Sequence, residues 1–139
     1  MRLMGFRYRH SPRNYAIDLQ KVYRILDGPA VHRVPWSRPY LRGICRLDRW
    51  VVPVIDLREL LDDVRGEVTS VLIVYAEGEV LVGFPVGEVF PSFGRADIQR
   101  VVRQAERPLC PYVLHTKQGV FHFIDMKTLL FRHFGELWQ

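Results

Sequence analysis

The feature that most constrains this chain is a series of short apolar stretches with a period of two residues, separated by turn sequences. The clearest pair, residues 71–76 and 80–84, flanks Glu77-Gly78-Glu79, where Gly78 can adopt a positive φ. Three further pairs flank turn-like clusters in the same way: 3–9 with 14–19, 44–47 with 51–55, and 112–116 with 120–124. Many short strands joined by tight turns predict an all-β barrel or sandwich.

One motif occurs twice along the chain. VVPVIDLRELL at 51–61 aligns with VFHFIDMKTLL at 120–130, so each copy places an aspartate after a strand and before a Leu-Leu pair. Asp56, with Glu59 in a box-like position, and Asp125 can each cap a helix. The apolar faces of these two helices would be Leu57, Leu60, Leu61 and Val64, and Met126, Leu129, Leu130 and Phe134, with Gly135 at the C-terminal left-handed position. The repeat predicts two similar β units, each closed by a short helix, and chance similarity is the alternative.

A third short helix is predicted after Asp97, with Ile98, Val101 and Val102 facing inward. Most of the aromatic residues are expected to fill the cores of two small barrels. Trp36 and Trp50 fall at loop or turn positions, where they either anchor a partner or pack locally.

The length of 139 residues fits one compact domain, or two small barrels that share a core, without disulfides or metal. Cys45 and Cys110 lie far apart without a CxxC motif and are predicted to be free thiols. The apolar stretches are too short to span a membrane, and the N-terminus lacks the apolar region of a secretory signal. The sequence therefore predicts a soluble cytoplasmic protein.

The net charge of +5 is unevenly distributed, with +8 in residues 1–50 and −3 in residues 51–139. This asymmetry raises the question of an anionic partner, either nucleic acid or an acidic protein surface. Because the basic residues are scattered singly, a protein-facing or merely solvated surface is favoured.

The motifs of several enzyme classes are missing from the sequence. It contains no GxSxG elbow, no GxxxxGK[ST] phosphate loop and no GxGxxG. His115 and His122 flank one predicted hairpin and could meet there at a metal, but solvated imidazoles are the simpler interpretation. No enzyme activity, metal or cofactor is predicted.

A family resemblance is carried by the stretch 15–61. Its features are Tyr-Ala-Ile-Asp at 15–18, Lys21-Val22, Pro39, Gly43 and Val-Pro-Val-Ile-Asp-Leu-Arg at 52–58. In this order they resemble the CheW-like adaptor family of bacterial chemosensory systems. The second half matches more loosely, through residues 71–74, Gly78, Val82-Gly83 and the final Ile124-Asp125 with Leu129-Leu130.

The resemblance implies an all-β fold of two SH3-like five-stranded β barrels with short capping helices. Residues 1–139 would form one CheW-like domain, with a first subdomain over about 14–66, a second over about 67–131, and an N-terminal strand joining either. It also implies a non-enzymatic scaffold without a cofactor, a small-molecule substrate or direct membrane insertion. Its partners would be a chemoreceptor coiled-coil tip and the regulatory domain of a CheA-type histidine kinase.

Two sets of interaction residues follow from the resemblance. A receptor groove between the barrels would be lined by Val22, Arg24, Arg42, Asp48, Val51, Val82, Gly83 and Val89. A kinase-facing edge would contain Gly43, Arg49 and Trp50. The apolar groove residues could equally be plain core.

Several positions depart from the family pattern. The family often has an acidic residue where this chain has Arg24, and an arginine where it has Asp48. We therefore predict an Arg24–Asp48 ion pair of inverted polarity. Arg49 replaces the usual turn glycine and puts the usual turn geometry in doubt. Pro85 and Pro91 would confine a strand to an edge or break it.

Two rival functions remain open at this stage. One is a basic SH3-like nucleic-acid-binding module that uses the N-terminal arginines. The other keeps the fold but serves a motility, pilus or partitioning complex.

Overall fold

The computed structural model describes residues 1–35 and 39–134, so the predictions for Trp36 and Gly135 lie outside the described residues. The described chain is all-β apart from a single short α-helix and two 3₁₀ turns. It forms two compact units, each built on its own sheet. We call residues 8–10 and 21–88 the central unit, and residues 1–7, 11–20 and 89–139 the terminal unit.

The central unit contains five strands: β3 (Val22–Asp27), β4 (Leu41–Leu47), β5 (Trp50–Ile55), β6 (Val71–Glu77) and β7 (Val80–Pro85). Their order in the sheet is β3-β6-β7-β5-β4. Of the described strand pairs in this sheet, β5–β7 is parallel and the others are antiparallel. Gly78 has φ 61° in the β6–β7 turn, as predicted. The buried cluster of this unit consists of Cys45, Leu47, Val52, Val54, Leu72 and Val74.

The terminal unit combines strands from both ends of the chain. They are β1 (Arg2–Arg7), β2 (Asn14–Asp18), β8 (Glu88–Val89, of which Glu88 falls in the central unit), β9 (Phe93–Gly94), β10 (Ile98–Arg103), β11 (Tyr112–Thr116) and β12 (Gly119–Phe123). The order is β10-β11-β12-β2-β1-β8, with the two-residue strand β9 also paired to β1. Helix α1 (Met126–Phe134) follows β12. The buried cluster consists of Leu3, Ala16, Phe93, Leu114 and Phe121.

The two copies of the repeated motif occupy equivalent places in their sheets. β5 is the second strand of the β4–β5 hairpin and pairs in parallel with β7, itself the second strand of a hairpin. β12 is likewise the second strand of the β11–β12 hairpin and pairs in parallel with β2, the second strand of the β1–β2 hairpin. The prediction of two similar β units is therefore confirmed at the level of strand connectivity.

The division into units differs from the subdomain boundary predicted near residues 66 and 67. The β6–β7 hairpin lies beyond that boundary, yet it pairs with β3 and β5 and so belongs to the central unit. Pro85 is the last residue of β7, where the missing N–H ends the strand. β7 itself lies between β6 and β5, not at an edge.

Two of the predicted helices are wrong. Residues 57–64 form a succession of turns, in which Leu57 and Leu61 are buried as expected of an inward face. Val64, predicted on the same face, is 66% exposed, because the chain does not continue as a helix to that position. After Asp97 the chain forms a 3₁₀ turn at Arg95–Asp97 and then β10, with Val101 54% and Val102 38% exposed. The run of Val-Val favours a strand, and pairing with β11 decides it.

Cys45 and Cys110 are buried free thiols, as predicted. Burial raises the pKa of both thiols, that of Cys110 to about 11. Of the helices in the described part of the chain, none combines the length and the apolar character that a membrane span requires.

Candidate protein-docking site

Five exposed neighbours on the central unit form what we call the aromatic–arginine patch: Tyr23, Arg24, Asp48, Arg49 and Trp50. Two elements position them. The first two lie on β3, which is an edge strand of its sheet, and the other three lie at the β4–β5 turn. Three side-chain contacts join the members: the Arg24–Asp48 ion pair, and the packing of Arg24 over Tyr23 and of Arg49 over Trp50.

The Arg24–Asp48 ion pair joins the two elements. Arg24 Nη2 lies 3.5 Å from Asp48 Oδ2, which confirms the ion pair predicted from the inverted charges. The two side chains are 46% and 55% exposed, so the pair contributes only about 0–1 kcal/mol to folding. Its main effect is to fix the position of two opposite charges at the surface.

In the β4–β5 turn, the residue with a positive φ is not Arg49, which replaces the usual glycine of the family. Leu47 pairs with Trp50, which makes Asp48-Arg49 a two-residue turn. The left-handed residue of that turn is Asp48, with φ 55°. Aspartate tolerates this region better than most residues, so the turn forms without the glycine that the family often uses.

Both arginines of the patch lie over aromatic rings. The Arg24 guanidinium carbon is 5.6 Å from the centre of the Tyr23 ring, and that of Arg49 is 5.4 Å from the Trp50 ring. Tyr23 is 43% and Trp50 46% exposed. Exposed tryptophan, tyrosine and arginine are the residues that most often dominate the binding energy of protein interfaces.

Tyr23 departs from the expectation that most aromatic residues fill the cores, and its exposure follows from the pairing of β3 with β6. The register of β3 against β6 shifts between Val22 and Arg24, so Tyr23 is the extra residue of a β-bulge. Bulges at sheet edges redirect side chains. No signal in the sequence marks this bulge.

The other predicted groove residues lie in varied surroundings. Val51 is 58% exposed on β5, and Arg42 is exposed with its Nη1 3.7 Å from Asp56 Oδ2. Val82 and Gly83 are buried in β7, which agrees with the alternative that these two residues belong to the core. Val22 and Val89 are half-buried, and Val89 belongs to the terminal unit. The lining of a receptor groove by these residues stays a prediction.

Gly43, predicted to face the kinase, is buried and has a structural reason to be glycine. Its φ is 150°, and a Cβ there would collide with the main-chain carbonyl of His32. That close approach lets His32 and Ile44 exchange two backbone hydrogen bonds of 2.8 Å along β4. Its contribution to a kinase-facing edge stays a prediction.

The two histidines considered for a metal have other neighbours. An Arg100 N–H lies 3.2 Å from His115 Nε2, and the His122 ring lies 6.3 Å from that of Tyr15. Burial, followed by the charges of Arg13 and Arg107, lowers the pKa of His122. Within residues 1–35 and 39–134, no group of three or more His, Cys, Asp or Glu side chains could hold a metal ion.

The sequence matches a known family over most of its length. The model of the family described as CheW-like domain covers residues 4–130. The chain belongs to the CheW-like domain family.

Two relatives add to this assignment. The chain is 36% identical over 78 residues to the chemotaxis protein CheW of Bacillus subtilis (strain 168), a match that covers 55% of this chain and 50% of that protein. The match thus spans about half the length of this curated relative. The crystal structure of the scaffolding protein TtCheW from Thermoanaerobacter tengcongensis superimposes with a TM-score of 0.76 at 16% identity, covering 93% of this chain and 91% of that one. This likeness shows that the chain has the fold of that CheW-like protein.

Proposed function

We propose that this CheW-like protein is a cytoplasmic, non-enzymatic adaptor that couples a chemoreceptor coiled-coil tip to the regulatory domain of a CheA-type histidine kinase. The family match over residues 4–130 and the names of the relatives support a scaffold in chemotaxis or a related pathway. The observation that carries the docking role is the exposed aromatic–arginine patch. Such an adaptor acts by holding its partners in a fixed geometry.

The patch is suited to docking because its side chains are exposed and contact one another on one unit. Tyr23 and Trp50 supply large apolar surfaces, and the exposed Val51 adds to them. Arg24 and Arg49 are held by the contacts with Asp48 and Trp50, so little side-chain freedom is lost on binding. A partner surface with an apolar pocket and acidic neighbours complements this arrangement.

The first test measures binding of the purified chain to the kinase regulatory domain and to a receptor-tip peptide from the same organism. Trp50→Ala is expected to weaken binding to at least one partner by about tenfold or more, since buried interface tryptophans commonly contribute over 1 kcal/mol. Val64→Ala is the matched control because Val64 is exposed on the same unit outside the patch. Failure of the wild-type chain to bind either partner would refute the proposal.

The second test addresses partner choice. Reversing one charge of the Arg24–Asp48 pair places like charges together, whereas Arg24→Glu with Asp48→Arg restores an opposite pair in the polarity common in the family. We expect the double variant to recover binding that each single variant loses, or to prefer a different receptor tip. Purely additive effects on binding would remove the pair from partner selection.

The nucleic-acid alternative has one observation in its favour. The terminal unit holds 10 Lys and Arg against 5 Asp and Glu, while the central unit holds 10 of each, so the whole net charge lies on one unit. A salt titration against duplex DNA separates the two functions. Micromolar or tighter binding that weakens steeply with salt would favour the nucleic-acid module over the adaptor.

A further inference from the structure

The sheet of the terminal unit has an edge strand, β10, one side of which is unpaired among the described residues. β10 is the outermost strand of its sheet, and β11 is the only described strand paired with it. Residues 99–103 are all exposed, so no described part of the chain covers this edge. An exposed edge presents a row of backbone donors and acceptors to which another strand can pair.

The edge is regular where pairing would occur. The register of β10 against β11 shifts between Ile98 and Arg100, which places a bulge at Gln99. Beyond it, Arg100 to Arg103 pair one by one with His115 to Tyr112. Four consecutive residues, Arg-Val-Val-Arg, therefore form a straight stretch of free edge.

Side chains along this stretch alternate between the two faces of the sheet. Arg100 and Val102 share one face, and Val101 and Arg103 share the other. Each face of the edge thus offers one valine and one arginine to an incoming strand. The sequence of the stretch is the same in both directions, so this pattern holds for a parallel or an antiparallel partner.

Charge argues against a second copy of this chain as the occupant. Residues 95–107 contain four arginines and two acidic residues, within the unit that carries the whole net charge of +5. One of the acids, Asp97, accepts the Gly94 N–H at 3.0 Å. Two such edges brought together would place arginines beside arginines, which is destabilising in cross-strand positions. A strand with acidic side chains would instead place opposite charges beside these arginines, which stabilises cross-strand pairs.

We propose that the free edge of β10 binds an extended acidic segment of a partner protein as an additional strand. The segment has the pattern acidic–apolar–apolar–acidic opposite Arg100-Val101-Val102-Arg103. Main-chain hydrogen bonds supply the affinity, and the two acid–arginine and two apolar cross-strand pairs supply the selectivity. This surface goes beyond the proposed function and does not depend on it, because it lies on the other unit from the aromatic–arginine patch.

The test uses a labelled peptide, Thr-Ser-Thr-Glu-Val-Val-Glu-Thr-Ser-Thr, titrated into the full-length chain and followed by NMR and fluorescence anisotropy. We expect the amides of residues 100–103 to shift and to gain protection from hydrogen exchange. A matched peptide with Lys-Val-Val-Lys at its centre is expected to bind about tenfold or more weakly. Absence of shifts at β10, or equal binding of both peptides, would overturn the proposal.

Charge reversal in the protein completes the design. Arg100→Glu with Arg103→Glu is expected to exchange the two preferences, so that the lysine peptide binds better than the glutamate peptide. Arg65→Glu, at an exposed arginine of the central unit, is the matched control and is expected to change neither affinity. If the reversed variant fails to fold, Arg100→Lys with Arg103→Lys keeps the charge and is expected to keep the wild-type preference.

Two other occupants are distinguished in the same experiment. Concentration-dependent dimerisation of the wild-type chain that perturbs residues 100–103 would assign the edge to a second copy and overturn the proposal. Duplex DNA that displaces the glutamate peptide from these residues would assign the arginines to nucleic acid, with the same consequence. Binding of the peptide is read independently of kinase or receptor binding, so failure here leaves the adaptor function unaffected.

Discussion

In the first copy of the repeated motif, at 51–61, Asp56 is followed by turns, whereas in the second, at 120–130, Asp125 begins helix α1. Both copies occupy the same place in their sheets. They also bury the same first apolar residue after the aspartate, Leu57 at 0% and Met126 at 2% exposure. The shared pattern accounts for the burial of this position, and the residues that differ decide the backbone that follows it.

The second aspartate acts as a helix cap. Asp125 Oδ1 accepts the Thr128 N–H at 3.1 Å, and the Thr128 hydroxyl donates to Asp125 Oδ2 at 2.8 Å. The Leu129 N–H then bonds to the Asp125 carbonyl at 3.0 Å. These bonds satisfy the first turn of the helix and let it continue to Phe134.

The first aspartate is used by an arginine instead. Asp56 accepts the backbone N–H of Arg58 at 3.0 Å, and the Arg58 guanidinium returns to the same carboxylate at 2.7 Å while donating to the Gly66 carbonyl at 3.0 Å. Arg58 thereby ties the start of the turn to its end. Asp62 then adopts φ 56°, which a continuing helix does not allow.

The two copies thus share an inward apolar pattern but differ in how the aspartate is used. The first turn of a helix is unfavourable in free energy, so a stable helix needs several further turns of hydrogen bonds. In the first copy the Leu61 N–H bonds to the Leu57 carbonyl, as in an α-helix, but the following N–H groups of Asp62 and Asp63 bond to the carbonyls of Glu59 and Arg58. In these two copies the apolar spacing predicted the burial of Leu57, Leu61, Leu129 and Leu130, but it did not predict which copy forms a helix.

The largest expected effect tests the shared part of the motif. Leu57→Ala and Met126→Ala should each lower the free energy of unfolding by about 2–5 kcal/mol, because each leaves a cavity in a packed core. Urea denaturation measures both, with the exposed Val64→Ala as control. A loss below that range at only one site would show that the two copies are not equivalent in packing.

The next effect is specific to the first copy. Asp56→Asn should cost about 1–3 kcal/mol, because it removes the charged acceptor of the Arg58 side chain. Asp125→Asn, which keeps a capping side chain, is the matched substitution and should cost less than about 1 kcal/mol. Equal losses in urea denaturation would indicate that Arg58 adds nothing at the first site.

The same variant predicts a pH dependence. Burial alone would raise the pKa of Asp56, but the hydrogen bonds and charge of Arg58, with a smaller effect of Arg42, lower it below its usual value. The resulting stability is present above the unfolded pKa of about 4 and is lost as pH falls through the lowered folded pKa. Wild type should therefore lose more stability than Asp56→Asn between neutral pH and about pH 3. Parallel acid-denaturation curves would contradict this.

A smaller effect is specific to the second copy. Asp125→Ala should cost about 1 kcal/mol and reduce the helical circular dichroism signal, since the Thr128 N–H loses its cap. Asp56→Ala serves as the control and should leave the helical signal unchanged, because the first copy forms no helix. A helical loss in the control would mean that the copies behave alike.

The smallest effect compares the aligned positions Asp62 and Phe131. Phe131→Gly lies inside helix α1 and should cost about 0.5–1 kcal/mol in helix propensity. Asp62→Gly relieves a left-handed non-glycine residue and should stay within about 0.5 kcal/mol of wild type in thermal or urea unfolding. A larger loss at Asp62 would show that its side chain, not its backbone, fixes the turn.

The candidate site was partly predictable. The Arg24–Asp48 pair followed from two charges that depart from the family pattern together, and the structure contains it. Tyr23 could not be placed, because its exposure depends on a bulge that arises only from the pairing of β3 with β6. The burial of Gly43 likewise depends on the approach of His32, which is distant in the sequence.

The sequence by itself determined the hairpins, the free cysteines and the first inward residue of each motif copy, Leu57 and Met126, because these depend on neighbours a few residues apart. Tertiary structure decided that residues 98–103 pair with β11 as strand β10 and that the β6–β7 hairpin joins the central unit. Each of those outcomes depends on a partner that the chain brings close only by folding. The turn after Asp56 is settled within a few residues, because Arg58 contacts Asp56 and also donates to the Gly66 carbonyl across the turn. Local patterns indicate many of the buried side chains, whereas long-range pairing decides the strands and exposes residues such as Val101 and Val102 that a helical pattern predicted inward.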